Sequence, residues 1–277
     1  MSPAQEPVGR LVICPTPIGN LEDVTLRVLA VLRRADVVAC EDTRHTRVLL
    51  DRYELSPALV SLHEHNERAR AGELIARIGS GAVVALVSDA GMPLLSDPGF
   101  ALVQACLQAE LPLEVLPGPS AVTTALVASG LPGDRWLFVG FLPRKPAELG
   151  ALLANAPDTL VAFESPRRLL STLRVLAAAD PERPLAVCRE LTKLHEEVRR
   201  AGAAELAAHY AENPPRGEIV LVIGAAPPRQ AQLGEALGAL RELIDSGARA
   251  RPAAAAVAKL TGIRANELYR ELQSDGQ

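Results

Sequence analysis

The first clear pattern in the chain is a short apolar run, Leu11 to Cys14, that stops at Pro15-Thr16-Pro17. A run of that length between polar stretches fits one buried strand. The pattern repeats: Asp36 to Cys40, Ala58 to Leu62, Val83 to Val87 and Leu113 to Leu116 read as further strands. Between them apolar residues recur at helical spacing. Leu21, Val24, Leu26, Val28, Leu29 and Leu32 predict a helix over 21–35. Helices are also predicted over 43–53 and 66–78, the second stopped by Gly79-Ser80-Gly81. After Val87 the chain turns through Ser88-Asp89-Ala90-Gly91. Asp97-Pro98 then reads as a helix start, a capping carboxylate followed by proline at the first helical position, with the helix running to about Ala109. Strands alternating with helices predict βαβ units and a largely parallel sheet.

Parallel strands place their following loops on one edge. Three of those loops are unusually polar or proline-rich: Pro15 to Asn20, Ser88 to Ser96 and Pro117 to Ser120. The crevice at the carboxyl ends of such strands is where open α/β sheets bind ligands, so one composite pocket is expected. Pro117-Gly118-Pro119-Ser120 can neither continue a strand nor sit inside a helix, which makes it a hinge as well as a pocket wall. Beyond it, helices are predicted at 121–129, 147–155, 167–179 and 203–212, and strands at 136–141, 159–164, 184–190, 196–200 and 217–223. This closer strand spacing predicts a mixed sheet. Gly224 to Gln230 has linker composition, and helical patterns follow at 231–246, 252–260 and 264–273. The expected organisation is an α/β domain over 9–117, a second over 118–225, and a linker with a helical tail over 226–277.

Composition narrows the picture. The 277 residues are 48% hydrophobic but only 3% aromatic, so Leu, Val and Ala must build the core. A net charge of −4 argues against a free-standing, sequence-tolerant nucleic-acid binder; a nucleic-acid partner would have to meet a local basic patch or be held partly by other proteins. Cys14, Cys40, Cys106 and Cys188 are widely spaced with no CxxC, which reads as buried free thiols in a reducing cytoplasm. Residues 1–9 carry no apolar core of the kind a signal peptide has, and no uncharged apolar run approaches the roughly 18 residues of a membrane span.

The central loop lacks the GxxxxGK[ST] of a phosphate loop, and no Lys or Arg lies between Val83 and Gly99. Two carboxylates and small residues suit a ligand carrying positive charge and hydroxyls. His63 and His65 have no Cys or third His nearby, so no metal centre is expected, and His65 reads as a nucleic-acid contact or a structural hydrogen bonder. Glu41-Asp42 at a strand end reads either as a carboxylate pair with one raised pKa or as an ion pair with Arg44 or Arg47.

A set of motifs then occurs in order: PTPIGNLEDVT from Pro15, CEDTR from Cys40, HEHN from His63, SDAGMP from Ser88, SDPG from Ser96 and PGPSA from Pro117. FLPRK from Phe141, FESPRR from Phe163, RELTK from Arg189 and RGE from Arg216 follow. Together they resemble the ribosomal RNA small subunit methyltransferase I family of the tetrapyrrole-methylase superfamily, over about residues 10–224. The resemblance implies two α/β domains with S-adenosylmethionine in the cleft between them, a homodimer, and 2′-O-methylation of a cytidine ribose in the 16S rRNA of the small ribosomal subunit. On this reading the donor is held by Pro15, Thr16, Pro17, Gly19, Ser88, Asp89, Ala90, Gly91, Met92, Pro93, Pro117, Ser120, Ala121, Phe141 and Glu218. Ser120 reads equally as the N-cap of the helix at 121–129. Candidate bases are Asp42, Glu41, His65 and Glu164. Candidate RNA contacts are Arg44, Arg144, Lys145, Arg167, Arg168 and Lys193, with Arg47, Arg199 and Arg200 as further cations near motifs; Tyr53 and Phe141 are aromatics able to stack on a base.

Two other functions compete. A methylase of a tetrapyrrole-like small molecule would carry a GxGxGD-type first loop, where this chain has Pro15 to Asn20. A non-catalytic ribosome-assembly factor would bind the donor without transferring its methyl group.

Overall fold

The computed structural model describes residues 9–154, 156–226 and 233–274. Residues 1–8 and most of the expected linker, 227–230, lie outside the described residues. The chain divides after Ala225 into two compact units.

The first unit holds two five-stranded sheets. The N-terminal sheet contains β1 (Arg10–Ile13), β2 (Val37–Cys40), β3 (Ala58–Ser61), β4 (Val83–Leu86) and β5 (Leu113–Val115) in the order β3-β2-β4-β1-β5. All four pairings are parallel, as the alternation predicted. Helices α1 (Leu26–Arg34), α2 (Thr43–Arg52), α3 (Glu67–Gly79) and α4 (Phe100–Gln108) cover its faces. β4, β1 and β5 are neighbours, so the three unusual loops leave the sheet side by side.

α5 (Ala121–Ser129) leads into the second sheet, made of β6 (Trp136–Phe141), β7 (Thr159–Glu164), β8 (Pro184–Arg189), β9 (Glu197–Gly202) and β10 (Ile219–Ile223), in the order β6-β7-β10-β8-β9. β6 and β7 run parallel and the other pairings are antiparallel, a mixed sheet. α6 (Pro146–Ala154), α7 (Pro166–Ala179) and α8 (Ala203–Glu212) pack a leucine-rich core on one face of it. α5 packs on the other face, and its cluster takes in Ile18 from the first loop. The second unit contains α9 (Leu233–Asp245), α10 (Ala250–Thr261) and α11 (Ala265–Ser274), closed around Leu240, Val257 and Leu268. Among the described residues no helix is long and apolar enough to cross a membrane.

Three local expectations are corrected. The helix predicted over 21–35 is a 3-10 turn (Leu21–Asp23) followed by α1. The break is set by Thr25, whose hydroxyl accepts the Val28 N–H at 3.2 Å and starts the helix anew. Asp97 does not cap α4: the helix begins at Phe100, with Gly99 at the N-cap and no side chain of its own there. Glu67 supplies the acceptor from the first turn of α3, taking the Gly99 N–H at 3.1 Å and the Ala101 N–H through the same oxygen. Ser120 sits at the N-cap position of α5 but makes no side-chain cap bond, so only the position of that reading holds.

Candidate functional site

Tight backbone approaches bring the loops together. Thr16 and Gly91 exchange two backbone hydrogen bonds, at 2.9 and 3.0 Å, and the Thr16 hydroxyl donates to Ser88 O at 3.0 Å. Ser88 in turn donates to Gly91 O at 3.1 Å. Gly91 has φ +81°, and a Cβ there would lie 3.2 Å from Ile18 and 3.6 Å from the Pro119 carbonyl. Glycine therefore serves both the left-handed backbone and the close approach of all three loops. A Cβ on Gly118 would meet Pro15 at 2.7 Å, which fixes the first loop against the third.

The first loop also reaches the second sheet. The Asn20 N–H donates to the Thr192 hydroxyl at 3.0 Å, and a Cβ on Gly19 would lie 2.8 Å from that same hydroxyl. Two adjoining cavities open beside this joint, about 370 and about 310 Å³. Ile18, Asp89, Ala90 and Glu218 line both. The larger is also lined by Leu95, Ser96, Asp97 and Ala121 and by Phe141, Phe163, Glu164 and Ser165. These volumes lie within the range of small-molecule sites. No lysine or arginine lines the larger cavity, while Asp89, Asp97, Glu164 and Glu218 do. That wall chemistry favours a cationic guest.

The proposed donor contacts divide by place. Thr16, Pro17, Gly19, Ser88, Asp89, Ala90, Ala121, Phe141 and Glu218 line one or both cavities. Pro15, Gly91, Pro117 and Ser120 belong to the same three loops but line neither cavity. Met92 packs against the core of the N-terminal sheet and Pro93 is buried, and neither lines either cavity. Phe141 is 61% exposed at the cavity mouth, its ring 5.6 Å from that of Phe163. A register shift in β6 with Gly140 at φ +64° presents it there.

The four candidate bases differ in how far they are committed. Asp42 caps α2, accepting the Arg44 N–H at 2.8 Å, and pairs with the Arg44 guanidinium at 2.8 Å. Those bonds hold its carboxyl down to about 2. Glu41 moves the other way, its pKa raised by burial and by the neighbouring carboxylates Asp89 and Asp42. Of the two readings of this pair, Asp42 follows the ion pair and Glu41 the raised carboxylate. The Glu164 side chain is 0% exposed, accepting from Ser165 N at 2.8 Å and Thr172 Oγ1 at 2.6 Å, with Arg168 at 3.4 Å. His65 is exposed and does not line either cavity.

Sequence reasoning missed Asp97 because its capping signature concealed it. Freed from α4, the side chain lines the larger cavity. Burial, with Glu41 and then Asp89 nearby, pushes its pKa up to about 6, opposed only in part by the Ser88 hydroxyl. The flanking backbone is constrained, with Leu94 at φ +72° and Ser96 at φ +73°.

Of the candidate RNA contacts, Arg144 and Arg167 are exposed and make no ion pair among the described residues. Arg44 pairs with Asp42, Lys145 with Glu148 at 2.8 Å, and Lys193 bridges Glu190 and Glu218 at 2.9 and 3.0 Å. Arg168 donates to the Leu142 and Pro143 carbonyls and so holds the loop after β6. Arg200 donates to the Ala128 and Ser129 carbonyls, satisfying the last turn of α5. Tyr53 donates its hydroxyl to Leu21 O at 2.9 Å.

Residues 10–207 match the profile of the Tetrapyrrole (Corrin/Porphyrin) Methylases. The chain is 46% identical over 278 residues to the ribosomal RNA small subunit methyltransferase I of Mesorhizobium japonicum, covering 98% of this chain and 93% of that one. It is 44% identical over 271 residues to the protein of the same name from Micromonospora olivasterospora, with 96% and 87% covered. Among solved structures, a uroporphyrin-III-C-methyltransferase from Thermus thermophilus superposes with a TM-score of 0.56 at 29% identity, covering 78% of this chain and 94% of that one. A structure of such an enzyme from the same organism, complexed with S-adenyl homocysteine, gives a TM-score of 0.55 at 22% identity, covering 78% and 97%.

Proposed function

Because the chain belongs to the tetrapyrrole methylases, and within them to the ribosomal RNA small subunit methyltransferase I family, we propose that it uses S-adenosylmethionine to methylate the 2′-oxygen of a cytidine ribose in 16S rRNA. The single observation that carries this reading is the cation-free, carboxylate-lined cavity between the two sheets. The names of the relatives support the substrate class, and the S-adenyl homocysteine in a structural neighbour supports the donor. The proline-rich first loop supports RNA over a tetrapyrrole.

The residues present fit the donor. S-adenosylmethionine, when bound, supplies an electrophilic methyl on positively charged sulfur. Asp89, in the loop after β4, lines both cavities and would supply the carboxylate that meets positive charge or a ribose hydroxyl. The backbone of Ser88 to Gly91, held by Thr16, forms a rim of the site. Holding the hydroxyl in line with the methyl carbon and sulfur supplies much of the rate in such a transfer. Phe141 presents an exposed ring at the mouth on which a splayed-out base can stack, the usual mode of single-stranded RNA recognition. Arg144, a few residues along the same loop, and Arg167 offer sequence-independent phosphate contacts. Homodimerisation belongs to the same proposal.

The test incubates purified protein and labelled S-adenosylmethionine with small subunits from a strain lacking the protein, then digests the RNA to nucleosides. Label in 2′-O-methylcytidine is the expected result. Label on a base, or in a tetrapyrrole added as competitor, would overturn the proposal. Binding of the donor without transfer would favour an assembly factor.

A further inference from the structure

The proposed transfer leaves one proton to be removed, and the carboxylates lining the larger cavity differ in their freedom to take it. Asp89 Oδ1 accepts the Asp42 N–H at 3.1 Å. Glu164 is bound by a backbone N–H, a hydroxyl and a guanidinium. Glu218 is paired with Lys193. Asp97 has no cation and no backbone N–H among the described residues, only the Ser88 hydroxyl, and it lines the same cavity as Leu95, Ser96, Phe141 and Phe163. Helix capping, the ordinary employment of an Asp before a Pro, is done here by Glu67 instead. We infer that Asp97 is the general base of the reaction, resting on the reading above: its carboxylate takes the proton of the attacking 2′-hydroxyl. As the O–H bond breaks toward Asp97, the oxygen lone pair forms the bond to the methyl carbon, and the carbon–sulfur pair returns to sulfur. Charge balances, because the sulfonium becomes a neutral thioether and the carboxylate a carboxylic acid.

The groups facing Asp97 agree with that role. Glu41 comes from the end of β2, with His63 acting on it from the loop after β3, and Asp89 and Ser88 come from the loop after β4. All the formal charge acting on Asp97 directly is negative, and a base works best when its pKa lies near the working pH. The burial and repulsion already described raise the carboxyl toward that range while leaving it ionised at neutral pH.

The experiment compares the full-length parent with Asp97→Asn and Asp97→Glu. Three quantities are measured: methyl transfer to unmethylated small subunits from pH 5 to 9, binding of S-adenosylhomocysteine by calorimetry, and near-ultraviolet circular dichroism. Expected are a fall in kcat of about 10²-fold or more in Asp97→Asn, partial recovery in Asp97→Glu, and S-adenosylhomocysteine affinity within about threefold of the parent. The parent's kcat should rise with pH through about 6, and the acid limb should be absent in Asp97→Asn. An Asp97→Asn protein with the parent's rate and the same acid limb overturns the inference. So does one that has lost S-adenosylhomocysteine binding, which would make Asp97 a donor contact. A parent protein that leaves 2′-O-methylcytidine unlabelled overturns the broader proposal first.

Discussion

Asp42 and Asp97 are aspartates of the same ordinary pKa, 3.8, moved in opposite directions by their surroundings. Asp42 is held down to about 2 by the Arg44 side chain and backbone, so its native interactions stabilise the fold above pH 4 and are lost as pH falls toward 2. Asp97 is raised to about 6, so between pH 4 and 6 the folded chain binds more protons than the unfolded one. Stability from this group therefore falls as pH rises through that window and is flat above it. Urea titrations across pH should show Asp97→Asn more stable than the parent above pH 6, with the difference closing below about pH 4. Asp42→Asn should lose stability at neutral pH and match the parent only near pH 2. Gly91 makes a different demand on its residue. Its φ of +81° and the Ile18 methyl 3.2 Å from a would-be Cβ make Gly91→Ala costly, by about 1–2 kcal/mol of unfolding free energy in urea titration. Because Ile18 lines both cavities, S-adenosylhomocysteine binding should weaken with it.

At the scale of elements, α4 depends on a side chain from another helix. Glu67→Ala leaves the Gly99 and Ala101 N–H groups without their acceptor, and a loss of about 1–3 kcal/mol in unfolding free energy by urea titration is expected. Glu67→Gln keeps an oxygen in place and should lose less. This contact also marks where sequence reading reaches its limit. Strands and helices of both sheets are legible because their apolar runs and periodicities are local. Parallel pairing alone puts Pro15 to Asn20, Ser88 to Ser96 and Pro117 to Ser120 on one edge, and the neighbouring places of β4, β1 and β5 bring them together there. The capping of α4 is set by a residue 32 positions earlier, and Asp97-Pro98 carries the same letters whether or not it caps. Arg168 and Arg200 escape sequence reading for a similar reason: a cation near a motif looks the same in sequence whether it meets solvent or a helix-end carbonyl. Thr25, by contrast, has the ordinary letters of an N-cap inside an apolar periodicity, and the periodicity masks it.

The molecule as a whole is acidic, yet it carries exposed cations close in sequence to cavity-lining residues. Arg144 and Arg167 are exposed, have no carboxylate partner among the described residues, and lie close in sequence to the cavity-lining Phe141 and Pro166. If they meet phosphates, alanine at either position should raise KM for the small subunit and leave S-adenosylhomocysteine binding unchanged. Each such substitution should also flatten the log–log salt dependence of RNA binding by about 0.7, the share of one phosphate on a single strand. A change in kcat with KM unaltered would speak against the phosphate role. The aromatic share of 3% makes Phe141 conspicuous at this scale too. In a chain whose cores are built from aliphatic side chains, its ring is left largely in water at the rim of the space.

The Asn20–Thr192 hydrogen bond joins the two lobes next to a natural reporter position. Leu194, two residues on, is 93% exposed, and all four cysteines are buried. A single dye on Leu194→Cys would therefore label one place and act as a gauge of cleft width, its emission shifting as S-adenosylhomocysteine is titrated in and staying level if the jaws never move.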